Sequence, residues 1–304
     1  MSDAVGLKPG TILGEEAKPP FAVLPDPATL FQNRSARLTA LAPGHELDPY
    51  LRFLALLTRA QHEFQTHLPP PTLPPFERIG QALAHGMPPI SHALYEPDDT
   101  ALGTVKRFLA RLASVELPSE SAGAVQTLLA APREELRKLA STVLKDAEPA
   151  SDVAGRVLAL AALQVEFTRM AALLNEGDLK LVANGACPVC GSAPVTSAVV
   201  GWAKAHNTRF CSCSLCGTMW NVVRVTCLLC NSTDGISYRA IDGNPDTVKA
   251  ETCELCGSYV KILYQVKDPA LDPVADDVAT LGLDMLLMQD GWKRGGHNPF
   301  LLGY

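Results

Sequence analysis

Cysteine is missing from the first 186 residues of the 304-residue chain, and all nine cysteines fall between Cys187 and Cys256. So abrupt a change in composition marks a domain boundary, which the sequence places between Gly177 and Gly185. Basic charge is also short. The 26 Lys and Arg against 32 Asp and Glu give a net charge of −6, which argues against a general nucleic-acid binder with a basic face. The cysteine-bearing stretch 185–270 is nearly neutral, with seven Lys and Arg to six Asp and Glu. No apolar run is long or clean enough to span a bilayer: the longest, Leu158 to Leu174, is interrupted by Gln164, Glu166 and Arg169. Met1 to Leu13 lacks a charged segment followed by an apolar one, so no secretory signal is expected and the chain is read as cytoplasmic. A Gly-rich phosphate loop, a nucleophile elbow and an H-E-x-x-H motif are all absent, and no enzyme is indicated.

What is present is a repeat of Cys-x-x-Cys pairs. Cys187/Cys190 with Cys213/Cys216, and Cys227/Cys230 with Cys253/Cys256, each read C-x2-C-x22-C-x2-C. Two residues between cysteines let a tight turn aim both thiolates at one ion, and a second such turn completes a tetrahedral shell. Glycine follows the pairs as Gly191, Gly217 and Gly257, and Asn231 follows Cys230, as suits a knuckle whose next residue takes positive φ. Two metal ions are therefore expected, on Cys187, Cys190, Cys213 and Cys216 and on Cys227, Cys230, Cys253 and Cys256. The competing reading is a set of disulfides, which a reducing compartment disfavours. An alternative grouping joins Cys213/Cys216 to Cys227/Cys230, but equal spacing in the two halves favours the sequential one. Four thiolates leave no open position for water or substrate, so hydrolysis at the metal is not expected. Iron and zinc both accept such a shell.

Before the cysteines the pattern is helical. Asp26-Pro27 and Asp48-Pro49 each place an acid before a proline, predicting helix starts. The second helix carries Tyr50, Leu54, Leu57, Gln61 and Phe64 on one face and stops at Leu68-Pro69-Pro70-Pro71, a stiff connector. Segments 101–116, 122–131, 133–146 and 151–176 read as antiparallel helices punctuated by Pro118 and Pro132. The last shows one stripe from Val153 to Leu174, with Gln164 as a satisfied buried amide. In the cysteine region short strands are expected at Val195–Val200, Met219–Val225, Ile236–Ile241 and Tyr259–Val266, with a turn at Asp242-Gly243-Asn244-Pro245. Each ribbon is too small to hold a core, so metal contributes much of its folding energy. Asp272-Pro273 starts a final helix whose Asp276 and Asp277 are read as first-turn charges, with Val274, Val278, Leu281 and Met285 as its apolar face. The ninth cysteine, Cys211, is read as buried or incidental, and the seven histidines receive no role.

The runs Cys187-Pro188-Val189-Cys190-Gly191-Ser192, Cys213 to Cys216 with Trp220 and Val222 to Val225, and Cys227 to Cys230 resemble the FdhE family of formate dehydrogenase accessory proteins. Lys249 to Cys253, Lys261 to Gln265, Lys267 to Pro269, Val274 to Asp277 and Asn298 to Leu301 continue the likeness, and Tyr50 to Phe53 with Ala60-Gln61 extend it upstream. The resemblance implies a large all-α domain over 1–184, rubredoxin-like (zinc-ribbon-like) β modules over 185–226 and 227–270, and a C-terminal helix and tail over 271–304. It further implies a protein that helps formate dehydrogenase mature by binding its catalytic subunit in the cytoplasm before export, with rubredoxin-type iron favoured and zinc possible. A rubredoxin-like electron carrier is the alternative. The extra Cys211 departs from the family's paired motif.

Overall fold

In a computed structural model of the chain, residues 19–145, 152–243 and 245–302 are described. Met1–Leu13, the junction between the segments ending at 146 and starting at 151, and Asn244 of the expected turn lie outside them.

The helical half is built from α1 (Leu30–Leu41), α2 (Asp48–Gln65), α3 (Phe76–Ala84), α4 (Asp99–Leu112), α5 (Ser119–Ala130), α6 (Arg133–Leu144) and α7 (Val153–Ala171). Asp26 acts one turn early: its carboxylate takes the Ala28 N–H at 3.0 Å and its carbonyl takes the Leu30 N–H at 2.9 Å, so a turn precedes α1. Asp48 does not cap α2; it pairs with Arg52 one turn along. Asp98 and Asp152 do cap, accepting from Ala101 at 2.8 Å and Gly155 at 2.8 Å. The expected single stripe on α7 is corrected by its surroundings. Leu158, Ala161 and Val165 join one apolar core with α1, α2 and α4, while Leu160, Leu163 and Phe167 join a second that reaches the cysteine region. A helix covered on both sides shows no polar face, and only its first turn, at Val153, is exposed. Gln164 is satisfied as expected, donating to the Ser214 carbonyl at 2.8 Å and accepting from Gln61 at 3.0 Å. The proline connector is held by Arg169, which donates to the carbonyls of Leu68 and Pro69.

The second half, joined by a strand from the start of the helical half, forms one eight-stranded sheet among the described residues. Its strands are β1 (Ala22–Val23), β2 (Pro194–Val199), β3 (Arg209–Cys213), β4 (Met219–Val222), β5 (Ile236–Arg239), β6 (Val248–Cys253), β7 (Ser258–Leu263) and β8 (Lys293–Arg294), in spatial order β1-β4-β3-β2-β7-β6-β5 with β8 on β7. β2, β3 and β4 form one antiparallel ribbon, and β5, β6 and β7 the other. Parallel pairing of Ser197 with Ile262 and Ala198 with Leu263 joins them. β3 and β6 were not expected, since Arg209-Phe-Cys-Ser-Cys and Val248-Lys-Ala-Glu carry little β-pattern beyond the cysteines themselves. Across the seam, buried Arg209 on β3 reaches Glu251 on β6 at 2.9 Å, and Glu251 also accepts from Tyr238 at 3.0 Å.

The final helix expected after Asp272-Pro273 is divided at Thr280 into α8 (Ala275–Ala279) and α9 (Leu281–Gln289). Asp272 caps it, accepting from Val274 and Ala275. Asp276 and Asp277 stand in the first turn of α8 as expected, and both are buried in ion pairs. Asp276 pairs with Arg37 of α1 at 2.7 Å, and Asp277 lies fully buried beside Lys261 of β7 at 3.3 Å and Arg294 of β8 at 2.5 Å. Asp284 of α9 joins the same cluster, contacting Lys261 and Arg294 and accepting from Tyr259 at 2.8 Å. Two carboxylates and two cations balance, the condition under which buried charge is tolerated. No helix among the described residues is long and apolar enough to cross a membrane.

Candidate metal centres

Eight cysteines gather into two groups, Cys187, Cys190, Cys213 and Cys216 in one and Cys227, Cys230, Cys253 and Cys256 in the other, with the ligand atoms of each group within 4.8 Å of one another. The alternative grouping across the short segment 217–226 is not formed. In the first group a knuckle before β2 faces the β3–β4 turn; in the second a knuckle before β5 faces the β6–β7 turn.

The knuckles repeat one backbone design. The N–H of Gly191 donates to the Cys187 carbonyl at 2.8 Å, that of Asn231 to Cys227 at 3.0 Å, and that of Gly257 to Cys253 at 2.9 Å. Closing each turn takes φ of +81° at Gly191, +75° at Gly217, +60° at Asn231 and +66° at Gly257, which is why these positions carry the residues that tolerate it. At the first centre the N–H groups of Leu215 and Cys216 point at Cys213 Sγ from 3.4 and 3.3 Å, donors that would stabilise a thiolate.

Sulfur spacing tests the fit. The Cys187–Cys216 and Cys190–Cys213 pairs are 3.6 and 3.4 Å apart, and the Cys227–Cys256 and Cys230–Cys253 pairs 3.7 and 3.6 Å. A disulfide would need about 2.05 Å. A tetrahedral ion with sulfur at about 2.3 Å sets its ligands roughly 3.8 Å apart, so each group can hold one metal ion. Electrostatics points the same way. Burial lifts the thiols of Cys187 and Cys216 well above the ordinary value. At Cys190 burial is outweighed by hydrogen bonds from Cys187, Cys213 and Cys216, which hold its pKa below that value. Without a cation, four buried sulfurs cannot all ionise; a divalent or trivalent ion lets them.

The two centres differ in cover. Cys187, Cys190 and Cys216 are 0% exposed, sealed by Leu160, Leu163 and Phe167 of α7 in a shared apolar core. In the second, Cys230 is exposed and Cys256 half-buried, and the neighbouring Leu229 and Leu255 stand in solvent. Cys211, on β3 opposite Trp220, is buried in the same core as the first centre but outside both groups, and burial pushes its thiol up to about 12. A residue missed from sequence is His92. Its Nδ1 lies 2.7 Å from the Cys190 carbonyl and its N–H donates there at 2.9 Å, bracing the first knuckle from a loop 98 residues away. No spacing could have signalled that contact.

The comparisons with known proteins agree along the chain. Three family models match: "FdhE, N-terminal" over residues 19–184, "FdhE, central domain" over 186–224 and "FdhE, C-terminal domain" over 225–301. A "Protein FdhE homolog" from Rhizobium meliloti is 43% identical over 97% of this chain and 97% of its own, and one from Cronobacter sakazakii is 35% identical over 94% and 92%. Among solved structures, the crystal structure of the FdhE protein from Pseudomonas aeruginosa superposes with a TM-score of 0.83 at 32% identity, covering 93% of this chain and 99% of that one. With matches spanning both the helical half and the two four-cysteine ribbons, the chain belongs to the FdhE family.

Proposed function

We propose that the protein is an accessory factor for formate dehydrogenase, which binds the immature catalytic subunit in the cytoplasm before its export. Family membership over nearly the whole chain supports an accessory role, and the observation that carries the binding reading is the chemistry of the centres. Two complete four-sulfur shells, Cys187/Cys190/Cys213/Cys216 and Cys227/Cys230/Cys253/Cys256, leave no ligand position for a substrate, so their work is to organise a surface. Each shell holds one ion, rubredoxin-type iron in preference to zinc. The role is chaperone-like and not catalytic.

Deletion of the gene in the native host should abolish formate dehydrogenase activity while the catalytic subunit is still synthesised. Tagged protein should capture that subunit from the cytoplasmic fraction, and normal activity in the deletion strain would refute the proposal. Comparing wild type with Cys187→Ser/Cys190→Ser in the capture assigns the binding surface. Recovery by both would move it away from the first ribbon.

Exposure of Cys230 favours a second reading, a rubredoxin-like electron carrier, because a redox centre needs one edge close to its partner. Visible absorbance that bleaches on reduction would support it. A colourless zinc-only protein purified from the native host would rule it out.

A further inference from the structure

A cavity of about 600 Å³ opens in the helical half, lined by none of the eight clustered cysteines. Its mouth lies between α3 and the start of α4, and α7 forms its inner wall. The walls are apolar, with Leu73, Met87, Ile90, Tyr95 and Met170 among them. Set into that wall is Glu166, only 7% exposed, whose carboxylate makes neither a hydrogen bond nor a close ion pair to Arg169 or Arg107, the arginines that attract it.

Arg169 and Arg107 attract it across space without bonding it. Arg169 spends its guanidinium on the carbonyls of Leu68 and Pro69, and Arg107 reaches Thr104 Oγ1 at 3.5 Å. Asp98 adds a second carboxylate to the lining, with one oxygen committed to the N–H of Ala101. Glu96 is a third, and at the rim it pairs with Lys145 at 3.3 Å, while Arg78 is the one arginine in the lining. Burying a carboxylate without a partner is costly and persists where something arrives to pair with it. Burial raises the pKa of Glu166 against the opposing pull of Arg169 and Arg107, and burial together with the charge of Glu166 raises that of Tyr95.

We propose that this cavity receives a basic side chain, presented by an apolar segment of a partner polypeptide, with Glu166 as its counter-ion. The inference deepens the accessory reading and rests on it for the source of the segment. A guanidinium suits the site best, being planar, weakly hydrated and able to lie against the Tyr95 ring while bonding a carboxylate. The apolar walls take the flanking residues. The loop that closes one side of the cavity also braces the first metal centre: Ile90 N–H donates to the Val189 carbonyl at 3.1 Å and His92 N–H to Cys190 at 2.9 Å. An occupant would therefore sit where the helical half meets that centre.

The test uses the metal-loaded full chain and the capped peptide acetyl-Leu-Ala-Arg-Leu-Ala-amide in titration calorimetry, with citrulline in place of arginine as control. Binding of the arginine peptide, weakened at least tenfold both by citrulline and by Glu166→Gln, is the expected result. Equal binding of the citrulline peptide, no binding by wild type, or equal binding of free ethylguanidinium would each overturn the proposal. The citrulline arm needs no variant, so it stands even if Glu166→Gln alters folding. Capture from the native host separates the two proposals. If wild type captures no catalytic subunit, the accessory reading fails; if wild type and Glu166→Gln capture it equally, this cavity is not where it binds.

Discussion

The unequal cover of the two sulfur clusters predicts that their ions leave at very different rates. A thiol-binding mercurial, added to zinc-loaded protein with a chromogenic chelator, can reach Cys230 directly because that cysteine is exposed, and its neighbour Cys256 is half-buried. Cys187, Cys190 and Cys216 are 0% exposed beneath α7, so attack there must wait until the helical half lifts from the sheet. Opening of that kind lies toward the global end of local unfolding, where even a marginal domain requires about 5 kcal/mol. At about 1.4 kcal/mol per factor of ten, the first centre should release its ion more than about a thousandfold more slowly than the second. The trace should show one equivalent of metal released fast and one slowly, and Cys230→Ser should remove the fast step. Release of both ions in a single phase would refute the reasoning. So would a fast equivalent that survives Cys230→Ser.

Burial holds the Glu166 pKa above its ordinary 4.5, so the folded state keeps this proton more tightly than the unfolded chain and loses stability as pH rises through that window. Glu166→Gln should then be more stable than wild type in denaturant at pH 8, with the margin shrinking toward pH 5; parallel curves would contradict the assignment. Gly257→Ala has open space around the new Cβ and should cost about 1–2 kcal/mol for its left-handed backbone. Gly217→Ala should cost more by the same unfolding measurement, because its Cβ would lie 2.7 Å from Leu30 Cδ2. Cys211→Ala should retain two metal ions per chain by elemental analysis, and loss of one would place Cys211 in the ligand set. Lys261→Met leaves Asp277 and Asp284 sharing Arg294, and a broken buried ion cluster should lower unfolding free energy by about 3–5 kcal/mol. Adding Asp284→Leu should recover part of that loss.

The helical half was legible because its signals are local. Pro118 and Pro132 punctuate α5 and α6, and the period of α2 shows in Leu54, Leu57, Gln61 and Phe64. Knuckle chemistry was legible for the same reason, since the four positions after the pairs all take positive φ. What could not be read was set by distant parts of the chain. Asp276 and Asp277 look like ordinary helix-start acids until Arg37, 239 residues from Asp276, and Lys261 are seen to meet them. The single stripe read on α7 misled because two cores claim its opposite sides. Glu166 interrupts an apolar run in the sequence, and only the fold shows that Arg169, three residues on, bonds the proline connector in place of its carboxylate.

Two sequence repeats with identical spacing thus produce centres with different chemical prospects, and the sheet explains how. Parallel pairing of β2 with β7 places the ribbons side by side, so one helical platform cannot cover both clusters equally. α7, the 88–92 loop and Leu30 of α1 close over the first. The second projects past that cover, with Leu229, Leu255 and Cys230 at its surface. The two ribbons are nevertheless bonded to each other across the seam. Arg209 crosses from β3 to Glu251 on β6, and the same guanidinium donates to the Arg224 and Thr226 carbonyls that lead into Cys227. The backbone leading into the exposed knuckle is thus tied to a buried charge on the strand that carries Cys213, two strands across the sheet from the second ribbon.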